Sequence, residues 1–489
     1  MGLAIDESLL ADVNDPSLDV LNYAISTHKK AIRRLKKLFD YYDGKQAILK
    51  HTMANNQHSS NNRTVVNHAK YITDMATGFT VGNPIAYASK KGLIQPIIDA
   101  LKAIDIQSHD TELEKDLSVF GAGDELIYLK NIGTDQAPDT QIRIEKIDPR
   151  AIVMVTDDTV EHNPLFAIYV QKKRNLQGYE NGCLITVYTR QNVIQYRTSM
   201  GDELDNNADK TVEKHYFGDV PVVEYRNNEE RQGDFEQVIP SIDDYNTLQS
   251  DRITDKQDFI DALLVVYGFT LDSDKDTGSG SSIKNGMING APGKGEDGAS
   301  VEWLTKNFDE TQIEILSKSV ENDIHKISYI PNMNDENFMG NVSGEAMKYK
   351  LFAMGNLLSI KSSYMAKGLR KRLSLMQHVL TIKGQKVDIS DCQITFTPNI
   401  PVNLTDIVAN IKNADGVIPR TITYSWLPGT DNPQEVIDQM KQQTVDNIKT
   451  NQAALTGDTG ANIDQPPYSA DTASNSEDKA DDSNQNTKK

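Results

Sequence analysis

The sequence predicts an α+β fold in which a strand-rich block is framed by long amphipathic helices. Three observations carry this. Between residues 124 and 226 apolar residues alternate with polar ones, the period of half-buried strands. Before and after that block they recur every three to four residues, the period of a helix. Two polar, glycine-rich stretches, 272–300 and 332–344, interrupt the later helices.

Taken in order, the chain reads as helical to about residue 60. From Ala24 to Tyr42 the apolar residues Ile25, Ile32, Leu35 and Leu38 keep a helical step, and Lys29, Lys30, Arg33, Arg34, Lys36 and Lys37 cover the other face. Thr64–Phe79 repeats the pattern with Val65, Val66, Ala69, Ile72, Met75 and Ala76, and Asn83-Pro84 ends it, because the residue before proline avoids the helical region. Residues 95–119 read as further helix. The 124–226 block follows, with Leu126, Tyr128, Ile142, Ile144, Ile168, Val170, Leu184 and Tyr188 among its alternating residues. Residues 237–267 read as one helix on Ile239, Ile242, Tyr245, Leu248, Ile253, Ile260 and Leu263, with Pro240 tolerated in its first turn. The 272–300 stretch is too polar to hold a core of its own. Helix returns at 309–330, where Asp309 and Gln312 resemble a capping box and Ile313, Leu316, Val320, Ile324 and Ile327 form a stripe. The longest helical pattern runs from 345 to 384, about 55 Å if straight, with Gly355 and Gly368 as candidate bends. Gln393–Thr397 alternates like a strand. Residues 403–450 read as two or three short helices, and 451–489 as a disordered, Asp-, Asn- and Ser-rich tail.

Bulk properties narrow the function. The chain of 489 residues carries a net charge of −19, the wrong sign for a static DNA binder, so a role with DNA must be non-adhesive or local. Two cysteines, Cys183 and Cys392, lie far apart and suggest neither a zinc site nor a disulfide framework. The start lacks the pattern of a signal peptide, Asp6 breaks a myristoylation motif at Gly2, and no run of about 20 apolar residues offers a membrane span. The expectation is a soluble intracellular protein.

Signatures of catalysis are thin. Gly290–Gly295 reads GAPGKG, but a Walker loop needs glycine where Ile288 stands and Ser or Thr where Gly295 stands. His325 with Asp323, His378, and the pairs Asp157-Asp158 and Asp243-Asp244 form no ligand spacing for a metal. No GxSxG occurs. No catalytic, cofactor-binding or metal-binding residue is nominated. The enzyme alternative, a metal-dependent nuclease or phosphotransferase, would require a clustered set of carboxylates or histidines.

Four segments together resemble a known family. They are Tyr41-Tyr42-Asp43-Gly44-Lys45; NRTVVNHAKYITDMATGFTVGNPIAY from Asn62 to Tyr87; EERQGDFEQVIPSIDDY from Glu229 to Tyr245; and Ile330–Arg372, opening IPNMNDENFMGNVSGEAMKYKLF and ending KGLRKR. In order and spacing they resemble the portal proteins of long-tailed phages that infect Gram-positive bacteria, over roughly residues 35–450. The resemblance implies a ring of about twelve copies at one capsid vertex, through which double-stranded DNA passes without sequence specificity. It implies a wing at 1–236, stem helices at 237–267 and 309–330, a clip at 268–308, a tunnel loop at 332–344, a long helix at 345–384, a strand returning to the wing at 385–402 and a crown at 403–450. Implied partners are the terminase large subunit, major capsid and scaffold proteins and a head-completion adaptor. The implied location is the virion, with host cytoplasm during assembly. Another head-morphogenesis protein is the nearer alternative; a scaffold would lack the strand-rich block.

Three residue sets follow. Six acids on one helix, Asp243, Asp244, Asp251, Asp255, Asp258 and Asp261, are candidates to line the channel, where they would repel phosphates and ease sliding; subunit contacts or an outward-facing position are the other options. Asn334, Asp335, Glu336, Asn337, Phe338, Met339, Gly340, Asn341, Val342, Ser343 and Gly344 are candidates for the tunnel loop, small and polar enough to move. Lys348, Lys350, Lys361, Lys367, Arg370, Lys371 and Arg372 make the long helix basic, facing DNA or, as preferred, an acidic neighbouring subunit.

Overall fold

A computed structural model describes residues 2–51, 62–133, 139–199, 201–206, 208–260, 263–267, 282–284, 287–291, 300–304, 310–333, 349–400, 404–427 and 433–456. The chain forms two units, 1–401 and 402–489. In the first, strand β1 (Leu3–Ile5) precedes helices α1 (Leu18–Tyr42) and α2 (His68–Val81), strand β2 (Ala86–Ala88), and helices α3 (Gln95–Lys102) and α4 (Ile106–Phe120). Eight strands follow: β3 (Ala122–Asn131), β4 (Thr140–Ile147), β5 (Ile152–Asp157), β6 (Pro164–Arg174), β7 (Glu180–Tyr188), β8 (Asn192–Thr198), β9 (Asp209–Lys214) and β10 (Val222–Arg226). Then come α5 (Ile239–Ile260), the short strands β11 (Leu263–Tyr267), β12 (Ser282–Lys284), β13 (Met287–Ala291) and β14 (Ser300–Leu304), α6 (Glu310–Ser328), α7 (Phe352–Ile382) and β15 (Gln393–Thr395). The second unit holds α8 (Leu404–Ala414), α9 (Arg420–Tyr424) and α10 (Pro433–Thr456).

The expected α+β class holds. The alternating block becomes a six-stranded sheet in the order β1-β5-β6-β7-β8-β9 and a three-stranded sheet β10-β3-β4. Alternation puts the two faces of β5 into different cores. Val153 and Val155 join Ile168, Ile185 and the first half of α1, through Leu21 and Ile25. Ile152 and Met154 join Ala167, Val220 and Val222. A strand covered on both sides needs apolar residues on both faces, as Ile152–Val155 supply, and the polar Thr156 and Asp157 at its end are buried as well.

Two helices tie cores together. The second half of α1, through Leu35, Leu38 and Tyr41, enters a core with α2, α5, α6 and the start of α7. The rest of α7, from Met365 to Leu380, enters a core with α3, α4, β3, β4 and β10. The two glycines of α7 have opposite roles. A Cβ on Gly368 would lie 2.4 Å from two carbons of the Tyr225 ring on β10, whereas one on Gly355 would meet nothing within 4 Å. Gly355→Ala is therefore expected to stabilise by about 1 kcal/mol through helix propensity. Gly368→Ala is expected to destabilise by about 1–3 kcal/mol, because the aromatic ring must shift. Paired thermal melts of the two variants check the opposite signs.

Four expectations are corrected. The amino-terminal end contains β1, which pairs in parallel with β5 (Leu3 opposite Val155). The 95–119 helix is two helices, broken at Asp105, whose φ is 53°. The 237–267 helix ends at Ile260 and continues as strand β11, paired with β13 and β14, so the polar 268–308 segment contributes strands. The expected helix from 345 is described over Phe352–Ile382, and its first residues, 345–348, lie outside the described residues. The last helix runs to Thr456, six residues into the expected tail; residues 457–489 lie outside the described residues.

A histidine pair sits where α2, α5 and α6 meet. The rings of His68 and His325 are 5.6 Å apart, and Tyr245 packs edge-on to His68 at 4.8 Å. His68 is buried and its Nε2 has no hydrogen-bond partner. Burial, then the neighbouring His325, lowers its pKa to about 4. The folded chain keeps this ring neutral, while the unfolded chain protonates it below about 6.5. Stability from this site is complete above about pH 6.5 and is lost as pH falls toward 4, by up to about 3 kcal/mol. Urea midpoints at pH 7 and pH 5 are expected to diverge less in His68→Phe than in the parent chain.

Candidate functional site

Helix α5 presents three different faces. Asn246, Ser250 and Thr254, one turn apart, are buried and hold the segment before α2. Val66 N donates to Asn246 Oδ1 at 2.8 Å, Thr64 N to Ser250 Oγ at 3.0 Å, and Asn62 N to Thr254 Oγ1 at 3.3 Å. Toward α6, Gln249 Nε2 donates to Ser317 Oγ at 2.7 Å, and Arg252 and Lys256 pair with Glu310 at 2.9 and 2.6 Å. At about 100° per residue, Asp244, Asp251 and Asp255 fall on a third stripe, about 120° around the helix from the polar ladder. Asp244 and Asp251 are exposed and Asp255 half-buried. Asp243 is off this stripe: both its carboxylate oxygens accept from Tyr41 Oη at 2.8 Å. Burial, then Asp243, pushes the Tyr41 phenol well above its ordinary pKa. Asp243 is thus tied to α1. Asp258 lies in α5, with its side chain outside the described residues, and Asp261 lies outside them altogether.

Two of the basic residues of α7 are buried. Arg372 is fully buried, with Nε 2.9 Å and Nη2 2.6 Å from the Glu125 carboxylate on β3, and Nη1 2.8 Å from Asp110 on α4. Tyr225 Oη donates to Glu125 Oε1 at 2.6 Å and His109 Nε2 lies 2.8 Å from Oε2. Burial pushes the Glu125 carboxyl up, but Arg372 and His109 beside it outweigh this and hold it at about 2. Three turns earlier, Lys361 Nζ lies 2.7 Å from Glu114 on α4 and 2.6 Å from Asp234, all three at most 1% exposed. The expectation that these cations face DNA or a neighbouring subunit is corrected for Lys361 and Arg372, which are neutralised inside their own chain.

The other basic candidates divide. Lys371 pairs with Asp219. Lys367 lies 4.8 Å over the Tyr364 ring, and Arg370 is exposed. Lys367 and Lys371 line a groove of 440 Å³ between α7 and strands β5 and β10. Lys350 is exposed. Lys348 and all of Asn334–Gly344 lie outside the described residues.

The partners of Lys361 and Arg372 were not anticipated, although phase could have found them. Asp110, Leu113, Glu114 and Leu117 share one face of α4, and acids in phase with buried leucines signal buried ion pairs. Likewise Lys361, Met365, Leu369, Arg372 and Met376 step by three or four along α7, while Lys367 and Arg370 fall between. Among the described residues, no three His, Cys, Asp or Glu side chains gather as a metal site, and no helix is long and apolar enough to cross a membrane.

Comparison with known proteins agrees with the resemblance. The family described as "Phage portal protein, SPP1 Gp6-like" matches residues 21–450. The "Portal protein" of Bacillus phage SPP1 is 21% identical over 428 residues, covering 83% of this chain and 80% of that protein. Among solved structures, a chain of "Neck of empty GTA particle computed with C6 symmetry" is 11% identical with a TM-score of 0.34, covering 73% of this chain and 88% of that one.

Proposed function

Because this chain belongs to the phage portal protein family described as SPP1 Gp6-like, we propose that it forms a closed ring of about twelve copies at one capsid vertex, the channel for packaging, retention and ejection of double-stranded DNA. The family is structural, and we read the chain as having no catalytic activity of its own. Packaging energy would come from the terminase large subunit docking on the ring. Capsid and scaffold proteins and a head-completion adaptor are the further partners this reading implies, with assembly in the host cytoplasm and a final place in the virion.

The observation that carries the ring is the surface of α6. One stripe, with Ser317, Ile324 and Ser328, is buried within the chain, whereas Ile315, Leu316 and Ile327 are 65%, 51% and 46% exposed. Their apolar area gains a cover if copies pack side by side by a heterologous contact that closes. Within the ring, 1–236 would be the wing, α5 and α6 the stem, and the strands β11–β14 the clip, which moves the first stem boundary from 267 to about 261. Residues 332–344 would be the tunnel loop, the 345–384 helix its continuation, 385–402 the return to the wing and 403–450 the crown. Asp244, Asp251 and Asp255, on one stripe of α5, are the acids we assign to the channel wall. Native mass spectrometry and negative-stain microscopy test the reading: closed rings with a hole of duplex width are expected. Leu316→Glu combined with Ile327→Glu should reduce the ring population at least ~10-fold at micromolar concentration, since each buried charge would add more than 1.4 kcal/mol per contact. A parent chain that stays monomeric in the presence of scaffold and capsid proteins would overturn it.

A further inference from the structure

The described side chains of the second unit form almost no core. Among its described residues only Thr423 and Ile437 are buried, at 1% and 9% exposure. Val408, Val417, Ile422, Trp426, Met440, Val445 and Ile448 stand 39–82% exposed. Helix α9 touches both α8 and α10, but α10 has 24 residues, about 36 Å of helix. Every described residue from Asp438 to Lys449 is exposed. Ile437, Met440, Thr444 and Ile448 recur at steps of three and four, the pattern of a helix with one apolar face. Such a helix is marginal in water without a surface to cover that face.

We infer that the apolar face of residues 404–456 is completed by the same unit of a second copy, so that these helices become stable only when the ring closes. This rests on the ring reading above. Two observations select the occupant. First, at the exposures given these seven side chains leave on the order of several hundred Å² bare, approaching the ~800 Å² per partner of a standard interface. Second, the charges along the exposed stretch 438–449 of α10 are balanced, with Glu435 before it leaving the whole helix at a net −1. Asp438 and Asp446 alternate with Lys441 and Lys449, and Lys441 Nζ lies 3.1 Å from Asp438. In a chain of net charge −19, most surfaces of two copies repel each other; this one does not. The same balance leaves no net positive charge to hold DNA phosphates. In a closed ring every copy holds this unit at the same height and radius, so the nearest apolar face of matching shape belongs to the neighbour.

Hydrogen exchange on the full chain tests this, after native mass has identified rings and dissociated subunits in separate samples. Amides of 433–456 are expected to exchange at least ~100-fold more slowly in rings than in dissociated subunits. Amides of β6 and β7 should change less than about 2-fold. Met440→Glu with Ile448→Glu should abolish the extra protection. A benzoylphenylalanine placed at Met440 should cross-link to 404–456 of a second copy. Equal protection in rings and subunits, or cross-links only to residues 1–401 of the same chain, would overturn the inference while leaving the ring intact. Protection that requires added DNA or another phage protein, with cross-links to that component, would overturn it as well. If no rings form at any concentration, the mass measurement removes the ring reading first and this inference with it.

Discussion

Arg372→Ala is expected to lower stability by about 3–5 kcal/mol, more than any other single substitution outside the apolar cores. The reason is what remains behind. Glu125, with 0% side-chain exposure, loses three of its contacts, and Asp110, at 2%, loses its cation. Burial already pushes the Asp110 carboxyl up, and without Arg372 two acids would face each other in the core beside His109. The cavity left by the side chain adds to the cost. Arg372→Lys would recover only part, because a single ammonium cannot meet Glu125 through two nitrogens and Asp110 through a third. Arg372→Met with Glu125→Gln and Asp110→Asn should lose far less than Arg372→Ala, since replacing a buried ionic cluster with neutral groups of similar volume is often close to neutral. Urea midpoints of the three variants give the ranking. A result in which Arg372→Ala melts like the parent chain would mean that water or a rearranged core takes over the guanidinium's contacts.

The same residue shows where sequence reading succeeds and where it stops. The 124–226 block was legible as strands because each strand is long enough to show its period. β1 has three residues, too few for any period, and depends on β5 for its pairing. The strands after α5 were hidden by composition: β11 (LLVVY) is apolar, but Leu263 also continues the three-to-four step of the helix before it, so one pattern served two structures. The polar insertion was judged by its inability to bury area, yet backbone pairing of β13 and β14 with β11 does not require that. The basic stretch 361–372 was read by charge class. Position within the helical period mattered more: Lys361 and Arg372 fall in phase with Met365 and Leu369, and go inward. Of the six acids, Asp244 and Asp251 kept the exposed position that a channel wall needs, while Asp243 was captured by a tyrosine 202 residues earlier, a contact no local pattern reveals.

Lys361→Met is expected to be the second most damaging of these changes, and its cost should grow with pH. Lys361 serves two carboxylates, Glu114 and Asp234, in a site closed to water. The lysine lies 2.7 Å from Glu114, but neither oxygen of that carboxylate has a well-directed hydrogen bond. Asp234, by contrast, accepts from Lys361 at 2.6 Å and from Asn227 at 2.8 Å. One cation therefore neutralises Asp234 well and Glu114 poorly. Burial raises the Glu114 pKa to about 7, against the pull of Lys361. Its value in the unfolded chain is near 4.5, so between about pH 4.5 and 7 the folded state binds more protons than the unfolded state. Over that window this site loses stability as pH rises, the reverse of an ordinary exposed salt bridge. Glu114→Gln should flatten the decline and, at pH 8, leave the chain as stable as the parent or up to about 3 kcal/mol more stable. In Lys361→Met the cation is gone, and both acids must stay protonated or be buried as anions. The loss should be small near pH 5 and reach about 3–5 kcal/mol near pH 8. Thermal melts of the parent, Glu114→Gln and Lys361→Met from pH 5 to 8 separate these slopes. Parallel lines for all three would show that Glu114 stays charged throughout, and that Lys361 satisfies both carboxylates equally.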